Sequence, residues 1–455
     1  MSQYREKGDG VGLGRHPHTA MTWATQASHA LAAALRATFD ADGVVVAAAA
    51  LDVSGTAVAV DPSDTAADCR FEIGSVTKTM TATLLALLAG RGVLRLDDQV
   101  GRWLSAGPNE AITLRELATH SSGLPQLGPD RRSRSSDSAN PWAGYTFEDA
   151  ERDLRQSTVT PGRPHLYSNL GYQLLGLVLQ RASGQDYPTL VTECLLDSLE
   201  MAHSGVGSRG LGTLLTGHAE GRPVASWERP WGAGGVEATI ADLAQYARAC
   251  LFPRDTPLGE AITLAQTPVV RVAEDIEQAL GWIVLDDGVR EHSGGTGGFS
   301  ASVTLDHARG RAVALLASSG GSPVYSTYLK QAAHLALADQ DPRRAAAPRP
   351  WPVWREDACD VVRALLNGQV GQVYERLAPQ VREKVAVQQL ERAWSRRIEG
   401  AGSAEEIVIV HHEIAAGGAV MAELSLAFAT GPQRLRLLVL PSGELGGFTF
   451  LPSAS

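Results

Sequence analysis

The sequence predicts an α+β fold in which helices pack on an antiparallel sheet, followed by a smaller β-rich domain. Strand patterns come as hairpins, Val44–Leu51 with Thr56–Val60 and Gly281–Asp286 with Val289–Ser293. Hairpins favour an antiparallel sheet over a doubly wound parallel one. Residues 339–352 are rich in Pro, Arg and Ala, and this change in composition indicates a linker between two domains.

The first domain is predicted over residues 21–338. Residues 1–20 are polar and glycine-rich, which is typical of a disordered tail and not of a secretory signal. We expect helices at Trp23–Phe39, after Ser75, and at Ile112–Leu117, Leu170–Ala182, Thr239–Ala249 and Tyr325–Leu337. Further strands are expected at Phe299–Leu305 and Ala312–Ala317.

The second domain is predicted over residues 353–455, as a small α+β or barrel-like module built on an antiparallel meander. Helical patterns cover Glu356–Leu366, Val370–Leu377 and Gln380–Ser395, and strand patterns cover Glu406–Ile414, Ala419–Phe428, Arg434–Leu440 and Gly446–Leu451. His411 and His412 are adjacent in a strand, so their side chains point to opposite faces and cannot bind one metal together. No catalytic group is predicted in this domain.

Composition argues against several classes of function. A formal net charge of −10 argues against a general nucleic-acid-binding protein. The four cysteines lack CxxC spacing, so we expect neither a disulfide framework nor a zinc site. The apolar runs are too short to span a bilayer and no signal sequence is visible, so the expected location is the cytoplasm. No metal and no cofactor is implied.

Ser75 and Lys78 lie at the start of a predicted helix that follows Gly74 and is expected to end with Gly90 as its cap. Residues three apart share a helix face, and the helix N-terminus favours negative charge on the serine oxygen. Only four of the 40 Lys+Arg residues are lysines, namely Lys7, Lys78, Lys330 and Lys384. Lysine can lose its proton in a protein and arginine cannot, which points to chemistry at Lys78. The alternative is a capping serine beside a snorkelling lysine.

The motifs Ser75-x-x-Lys78, Tyr167-x-Asn169 and His292-x-Gly occur in an order that fits one acyl-transfer mechanism. Ser75 would be the nucleophile, and a desolvated Lys78, its pKa lowered from about 10.4 towards 7–8, would accept its proton. Tyr167 would be a second acid/base, reaching the phenolate with help from the nearby cation. Asn169 would hold Lys78 and the substrate backbone, and His292 would relay a proton or orient a carboxylate.

The glycines after His292 are expected to let a substrate carbonyl approach the edge of the strand. The backbone N–H groups of Ser75 and Gly295 would form an oxyanion hole, in which the loss of one donor typically costs about 10²–10³ in rate. Ser293 and Gly294 lie between His292 and Gly295, and we expect both to contact the substrate.

These motifs resemble those of the serine β-lactamase and penicillin-binding-protein superfamily, in its class C β-lactamase, D-peptidase and esterase branch. The segments Phe-Glu-Ile-Gly-Ser-Val-Thr-Lys at 71–78 and His-Ser-Ser-Gly-Leu-Pro at 120–125 are similar to that branch. The resemblance covers about residues 25–338 and implies a β-lactamase/transpeptidase-like fold with a helical subdomain. His292-Ser-Gly stands where the β-lactamases carry Lys-Thr-Gly, which argues against β-lactam hydrolysis.

The linker and the small C-terminal domain, which is lipocalin-like in the relatives, also resemble the penicillin-binding-protein-type thioesterases of nonribosomal peptide assembly lines. The resemblance implies that Ser75 takes a peptidyl chain from a carrier protein's phosphopantetheine thioester, or from a free peptidyl thioester. The peptide's own amine would then release it by head-to-tail macrocyclisation, with a D-residue preferred at the acyl end. Glu237 would hold the amino terminus of the peptide; alternatively, it is a solvent-facing acid near a helix N-terminus.

Two other functions remain open at this point. A carboxylesterase or a D-stereospecific amidase/peptidase would hydrolyse its substrate through the same Ser-Lys-Tyr set. A penicillin-recognising sensor would be acylated and stay acylated. The 126–146 segment is expected to be a solvated loop, although Arg131, Arg132 and Arg134 could instead dock an acidic carrier protein.

Overall fold

The structure is a computed structural model, and it covers most of both predicted domains. It describes residues 21–129, 142, 144–157, 159, 165–207, 211–219, 221–227, 231–321, 323–345, 351–383, 385–398, 406–414, 420–428, 431–440 and 444–451. The tail predicted at 1–20 and the arginines Arg131, Arg132 and Arg134 lie outside the described residues.

The first domain is built on an antiparallel eight-stranded sheet in the order β2-β1-β13-β12-β11-β10-β9-β8. Three smaller sheets have the orders β3-β7-β4, β14-β5-β6 and β15-β16-β17-β18. The strands are β1 (Val46–Asp52), β2 (Gly55–Asp61), β3 (Phe71–Glu72), β4 (Gly205–Val206), β5 (Gly217–Ala219), β6 (Arg222–Val224), β7 (Val236–Ala238), β8 (Val270–Ala273), β9 (Ile276–Gln278), β10 (Ile283–Leu285), β11 (Arg290–Gly295), β12 (Ser300–Asp306), β13 (Arg311–Ala317), β14 (Ser319–Gly320), β15 (Glu406–Ile414), β16 (Val420–Phe428), β17 (Gly431–Val439) and β18 (Leu445–Leu451). The predicted hairpins and the antiparallel sheet are confirmed.

Helices surround the sheet and form the separate helical region of the first domain. They are α1 (Trp23–Thr38), α2 (Thr77–Gly90), α3 (Leu114–Ala118), α4 (Phe147–Gln156), α5 (Asn169–Ser183), α6 (Tyr187–Val191), α7 (Trp231–Gly234), α8 (Ile240–Leu251), α9 (Gly259–Ala265), α10 (Pro323–Leu337), α11 (Trp351–Leu366), α12 (Val370–Glu375), α13 (Pro379–Arg382) and α14 (Val387–Ile398). Within the described part of the chain, none of them is long and apolar enough to cross a membrane.

Both faces of the main sheet are covered, as the side chains of β1 demonstrate. Ala47, Ala49 and Leu51 belong to the large core that contains α2 and α8. Val46 and Ala48 belong to a second core, with α1 and α10. Successive side chains of a strand point to opposite faces, so an uninterrupted apolar strand is expected where helices lie on both sides.

Helix α2 crosses the large core, and its side chains are buried on every face from Thr77 to Ala86. A helix that is apolar all round is expected in such an interior position. Its threonines are satisfied inside the core: Thr81 Oγ1 donates to the carbonyl of Gly232 at 2.7 Å. The sequence predicts Gly90 as the cap of this helix, but Gly90 is the last helical residue and Arg91 is the cap. The helix therefore ends one residue later than predicted.

The C-terminal residues form a unit with its own hydrophobic core. Buried side chains from the helices, such as Val362 and Trp394, pack with Leu424, Leu435 and Leu437 from the sheet. The four strands follow one another as an antiparallel meander, so the α+β arrangement is the one observed among the described strands.

Two predicted boundaries in this region were wrong. The single helix expected over Gln380–Ser395 is two helices, α13 and α14, and residues 385 and 386 between them are not helical. Helix α11 begins at Trp351, inside the segment predicted as a linker, while residues 346–350 lie outside the described part.

Because the two domains have separate hydrophobic cores, a substitution that leaves a cavity in one core should destabilise mainly the domain that contains it. Leu435→Ala, in the C-terminal core, should cost about 2–5 kcal/mol because a fully buried leucine is removed. Hydrogen exchange measured by mass spectrometry should then accelerate in β15–β18 while the main sheet keeps its protection. Leu316→Ala, in the large core, is the matched control with the opposite pattern. Equal acceleration in both regions after either substitution would show that the cores unfold as one unit.

Candidate active site

Ser75 lies between a short strand and the buried helix α2. Strand β3 pairs with β7, opposite Ala238 and Glu237, and ends just before Ile73. Gly74 then adopts a left-handed φ of 49°, which glycine tolerates and which turns the chain into a short 3₁₀ segment that leads into α2. Ser75 is therefore held at the helix entrance as predicted.

Lys78 is the buried partner of Ser75. Its side chain has no exposed surface, and its Nζ has three oxygen partners. Ser75 Oγ lies at 2.8 Å, Asn169 Oδ1 at 2.8 Å and the carbonyl oxygen of Ala233 at 2.7 Å. Burial lowers the pKa of Lys78 well below its usual value, because a charged amine loses its hydration in the core.

These three contacts also suit a neutral amine. Asn169 Oδ1 and the Ala233 carbonyl can only accept, so they take the two N–H groups of a neutral Lys78. The remaining lone pair of Nζ then accepts the proton of the Ser75 hydroxyl. A neutral Lys78 thus leaves every group paired and is positioned as the general base for Ser75.

Tyr167 is the second group on the nucleophile, and its hydroxyl donates to Ser75 Oγ at 2.8 Å. Burial raises the pKa of Tyr167, although the hydrogen bond to Ser75 opposes this effect. The expected phenolate is therefore contradicted, since burial suppresses both the cation on Lys78 and the anion on Tyr167. Tyr167 remains a protonated donor that can pass a proton to a leaving group.

His120 supports Tyr167 and was not predicted as a site residue. It has a left-handed φ of 56° and is buried. Its Nδ1 accepts the N–H of Ser168 at 3.1 Å, its carbonyl accepts the N–H of Leu166 at 2.8 Å, and its ring lies 4.5 Å from the Tyr167 ring. The only sequence signal was the His-Ser-Ser-Gly-Leu-Pro segment, which gave His120 no role.

His292 lies on β11, with its ring centroid 6.5 Å from that of Tyr167. Its Nε2 is buried without a hydrogen-bond partner among the described residues. Burial is the main cause that lowers the pKa of His292 to about 3, and the charge of Lys330 acts in the same direction, so the imidazole is neutral. The structure thus places an uncharged ring near the nucleophile.

The neighbouring residue Glu291 lies on the opposite side of β11, where it binds helix α10. Its carboxylate contacts Lys330 Nζ at 2.9 Å and His334 Nε2 at 2.7 Å. Burial alone would raise the pKa of Glu291, but these two partners outweigh it and hold the pKa at about 2. This ion pair fixes β11 against α10 from behind the site.

Gly294 and Gly295 bring β11 against the Ser75 turn. A Cβ on Gly294 would lie 2.8 Å from the Ser75 nitrogen, and a Cβ on Gly74 would lie 2.7 Å from the Gly295 nitrogen. Only glycine permits this approach, which brings β11 into contact with the turn that carries Ser75. The oxyanion hole formed by the N–H groups of Ser75 and Gly295 stays a prediction. Ser293 is half-buried, and strand alternation puts its side chain on the side opposite to His292, so its substrate contact stays a prediction.

The comparisons with known proteins agree with this geometry. A sequence model of the family described as beta-lactamase matches residues 25–338. The chain belongs to the beta-lactamase family. Penicillin-binding protein 4* of Bacillus subtilis (strain 168) is 25% identical over 277 residues, which are 52% of this chain and 58% of that protein. A beta-lactamase of Escherichia coli (strain K12) is 30% identical over 227 residues, which are 48% of this chain and 57% of the relative.

The fold comparison extends over the same region. A solved class C beta-lactamase superimposes with a TM-score of 0.59 and 20% identity, covering 70% of this chain and 98% of that chain. The family therefore establishes a beta-lactamase-like and penicillin-binding-protein-like serine hydrolase fold. The curated matches span between half and three fifths of those relatives' length.

Glu237 is predicted to hold the amino terminus of the peptide, but in the structure it is buried and paired with Arg70. It lies in β7 with 1% exposure, and its Oε2 accepts from Arg70 Nη1 at 2.5 Å. Arg70 is also buried, so the two charges neutralise each other inside the protein. Both sequence-based roles, a holder of the peptide amine and a solvent-facing acid, are therefore wrong. The isolated acidic residue could not reveal a partner 167 positions earlier in the chain.

The neutral Lys78 predicts the pH dependence of acylation. The value of kcat/KM for an aryl ester should rise with pH through the lowered pKa of Lys78 and level off well below 10.5, its usual value. Lys78→Arg, which stays protonated, should lose about 10²–10⁴ in rate. Tyr167→Phe should slow the reaction and keep the midpoint of the rise. Loss of the rise in Tyr167→Phe would instead identify a tyrosinate as the base.

The buried Arg70–Glu237 pair predicts a large effect on stability. Glu237→Gln leaves the charge of Arg70 unpaired in the interior, which should cost about 3–5 kcal/mol in the free energy of unfolding. Chemical denaturation measures this loss, and the exposed Glu274→Gln is the matched control. An unchanged stability, with a change only in the products formed, would return Glu237 to a role in substrate binding.

Proposed function

We propose that this protein is a serine acyltransferase that releases a peptide by head-to-tail macrocyclisation. Its donor would be a peptidyl carrier protein bearing a phosphopantetheine-linked peptide, or a free peptidyl thioester, and its location the cytoplasm. The observation that carries the proposal is the buried His292, whose Nε2 has no hydrogen-bond partner among the described residues, beside the hydrogen-bonded Ser75–Lys78–Tyr167 network.

In the first half-reaction, neutral Lys78 takes the proton of Ser75 while Oγ attacks the thioester carbonyl. The N–H groups of Ser75 and Gly295 would stabilise the oxyanion. The C–S bond then breaks, and the thiolate leaves with a proton that Lys78 returns through the hydroxyl of Tyr167. An ester on Ser75 remains.

In the second half-reaction, the amine of the peptide attacks the ester carbonyl. Lys78, again neutral, accepts the proton of the amine as the C–N bond forms. The C–O bond to Ser75 breaks, and Ser75 Oγ recovers a proton through Tyr167 or Lys78. Both reacting ends belong to one bound chain, and such proximity is worth up to about 7–11 kcal/mol of the barrier.

The neutral state of His292 supports an amine as the acyl acceptor. The amino end of a peptide enters as an ammonium, and a cation at this position would repel both that ammonium and the positively charged nitrogen that forms on attack. A buried imidazole with an unpaired Nε2 offers a polar contact without that repulsion. The separate C-terminal core also matches the layout of the penicillin-binding-protein-type thioesterases.

Hydrolysis is the second candidate, since the same network would also activate water. Two of the relatives are named beta-lactamases, and the chain shares their fold. A carboxylesterase or a D-stereospecific amidase/peptidase would use Ser75, Lys78 and Tyr167 in the same roles. The two candidates differ only in the group that attacks the acyl-enzyme.

One experiment separates the two functions. A synthetic peptidyl thioester with a D-residue at its acyl end and a free amine should give cyclic peptide, observed by mass spectrometry. The same peptide with an acetylated amine should give only linear acid or a lasting acyl-enzyme. Ser75→Ala should abolish every product, whereas the exposed Ser105→Ala is the matched control and should keep them.

Two other results would contradict macrocyclisation and support a different function. Linear acid from the free-amine peptide, with rapid turnover of a simple aryl ester, would establish the hydrolase. A stable acyl adduct with both peptides would indicate a sensor.

A further inference from the structure

A cavity of about 630 Å³ opens in the helical region of the first domain. Four of its ten described lining residues are aromatic: Tyr145 lies just before α4, Phe147 begins that helix, Trp231 begins α7, and Trp227 lies in the segment before α7. The rings of Phe147 and Trp231 meet edge to face, with centroids 4.9 Å apart. The volume and the apolar lining are those of a site for a small organic group.

Gln173 contributes an amide to this wall. It is 3% exposed, and its Nε2 is buried without a hydrogen-bond partner among the described residues. A buried amide is normally paired, because leaving it unpaired forfeits its hydrogen bonds with water. An unpaired amide in an aromatic cavity is expected where a ligand supplies the missing partner.

Three walls of the cavity are joined to groups of the catalytic site by short stretches of backbone. Gln173 lies one helical turn after Asn169, so both side chains project from the same face of α5. Trp231 lies two residues before Ala233, whose carbonyl accepts from Lys78 at 2.7 Å. Trp227 packs against Gly297, where a Cβ would have no room, two residues beyond Gly295.

We propose that this cavity binds the acyl chain next to the reacting carbonyl, and that it selects acyl donors with a bulky apolar or aromatic side chain and a nearby amide carbonyl. The aromatic walls receive the side chain, and Gln173 Nε2 donates to the carbonyl. This inference rests on the proposed acyl transfer from a peptide, and it names the residue class that Ser75 accepts. It holds equally whether water or an amine completes the reaction.

The test uses acylation of the full-length protein by short thioesters of N-acetylcysteamine, followed as thiol release. N-acetyl-phenylalanyl and N-acetyl-tryptophanyl donors, as D-residues, should exceed N-acetyl-glycyl by about tenfold or more in kcat/KM, as expected for an apolar pocket. Trp231→Ala should flatten this profile. Trp103→Ala, a tryptophan that does not line the cavity, should keep it.

The role of Gln173 is tested with a donor that lacks the amide. Wild-type protein should prefer N-acetyl-phenylalanyl to 3-phenylpropionyl thioester by about tenfold or more, and Gln173→Met should reduce this ratio towards one. Circular dichroism and thermal unfolding confirm that each variant is folded. A flat side-chain profile in the wild type, or a ratio that Gln173→Met leaves unchanged, would overturn the proposal.

The thiol-release assay tests the cavity independently of the proposed macrocyclisation. Thiol release reports only the formation of the acyl-enzyme. If cyclic peptide never forms but the profile holds, macrocyclisation fails and the cavity assignment stands. If cyclic peptide forms with no preference at this position, the cavity assignment fails alone.

Discussion

The burial of one amine is the constraint on which the site depends. Lys78 lies in the core with no exposed surface, held by Ser75, Asn169 and the carbonyl of Ala233. An ammonium there would lose its hydration at a high cost, so the core favours the neutral form, which can act as a base. The same burial keeps Tyr167 protonated. Ser75 Oγ therefore contacts two different groups, a neutral amine that can accept a proton and a phenol that can donate one.

Close backbone approach brings the elements of the site together. Gly294 lets β11 touch the Ser75 turn, and a Cβ on Gly176 would lie 3.1 Å from the Cα of Gly232, so helices α5 and α7 nearly touch. This second contact carries the Ala233 carbonyl to Lys78 and brings Trp231 to the cavity wall. Small residues at these crossings thus connect the aromatic cavity to Lys78.

The charges around Ser75 bear on the proposed reaction with an amine. The network around Ser75 contains no fixed cation once Lys78 is neutral, and His292 adds none. The compensated pairs, Arg70 with Glu237 and Lys330 with Glu291, are directed into the structure and away from the reaction. A site without net charge is suited to neutral acyl donors and to an uncharged amine.

The sequence alone determined the local features: the antiparallel hairpins, the helix that begins after Ser75, and the grouping of Ser75, Lys78, Tyr167 and Asn169. These follow from short-range patterns and from the rarity of lysine. Tertiary structure decided what depends on distant neighbours. It paired Glu237 with Arg70, kept Tyr167 from ionising, and placed His120 and Gln173 beside the site. Charge state and pairing are set by burial and by partners far along the chain, and no local pattern contains either.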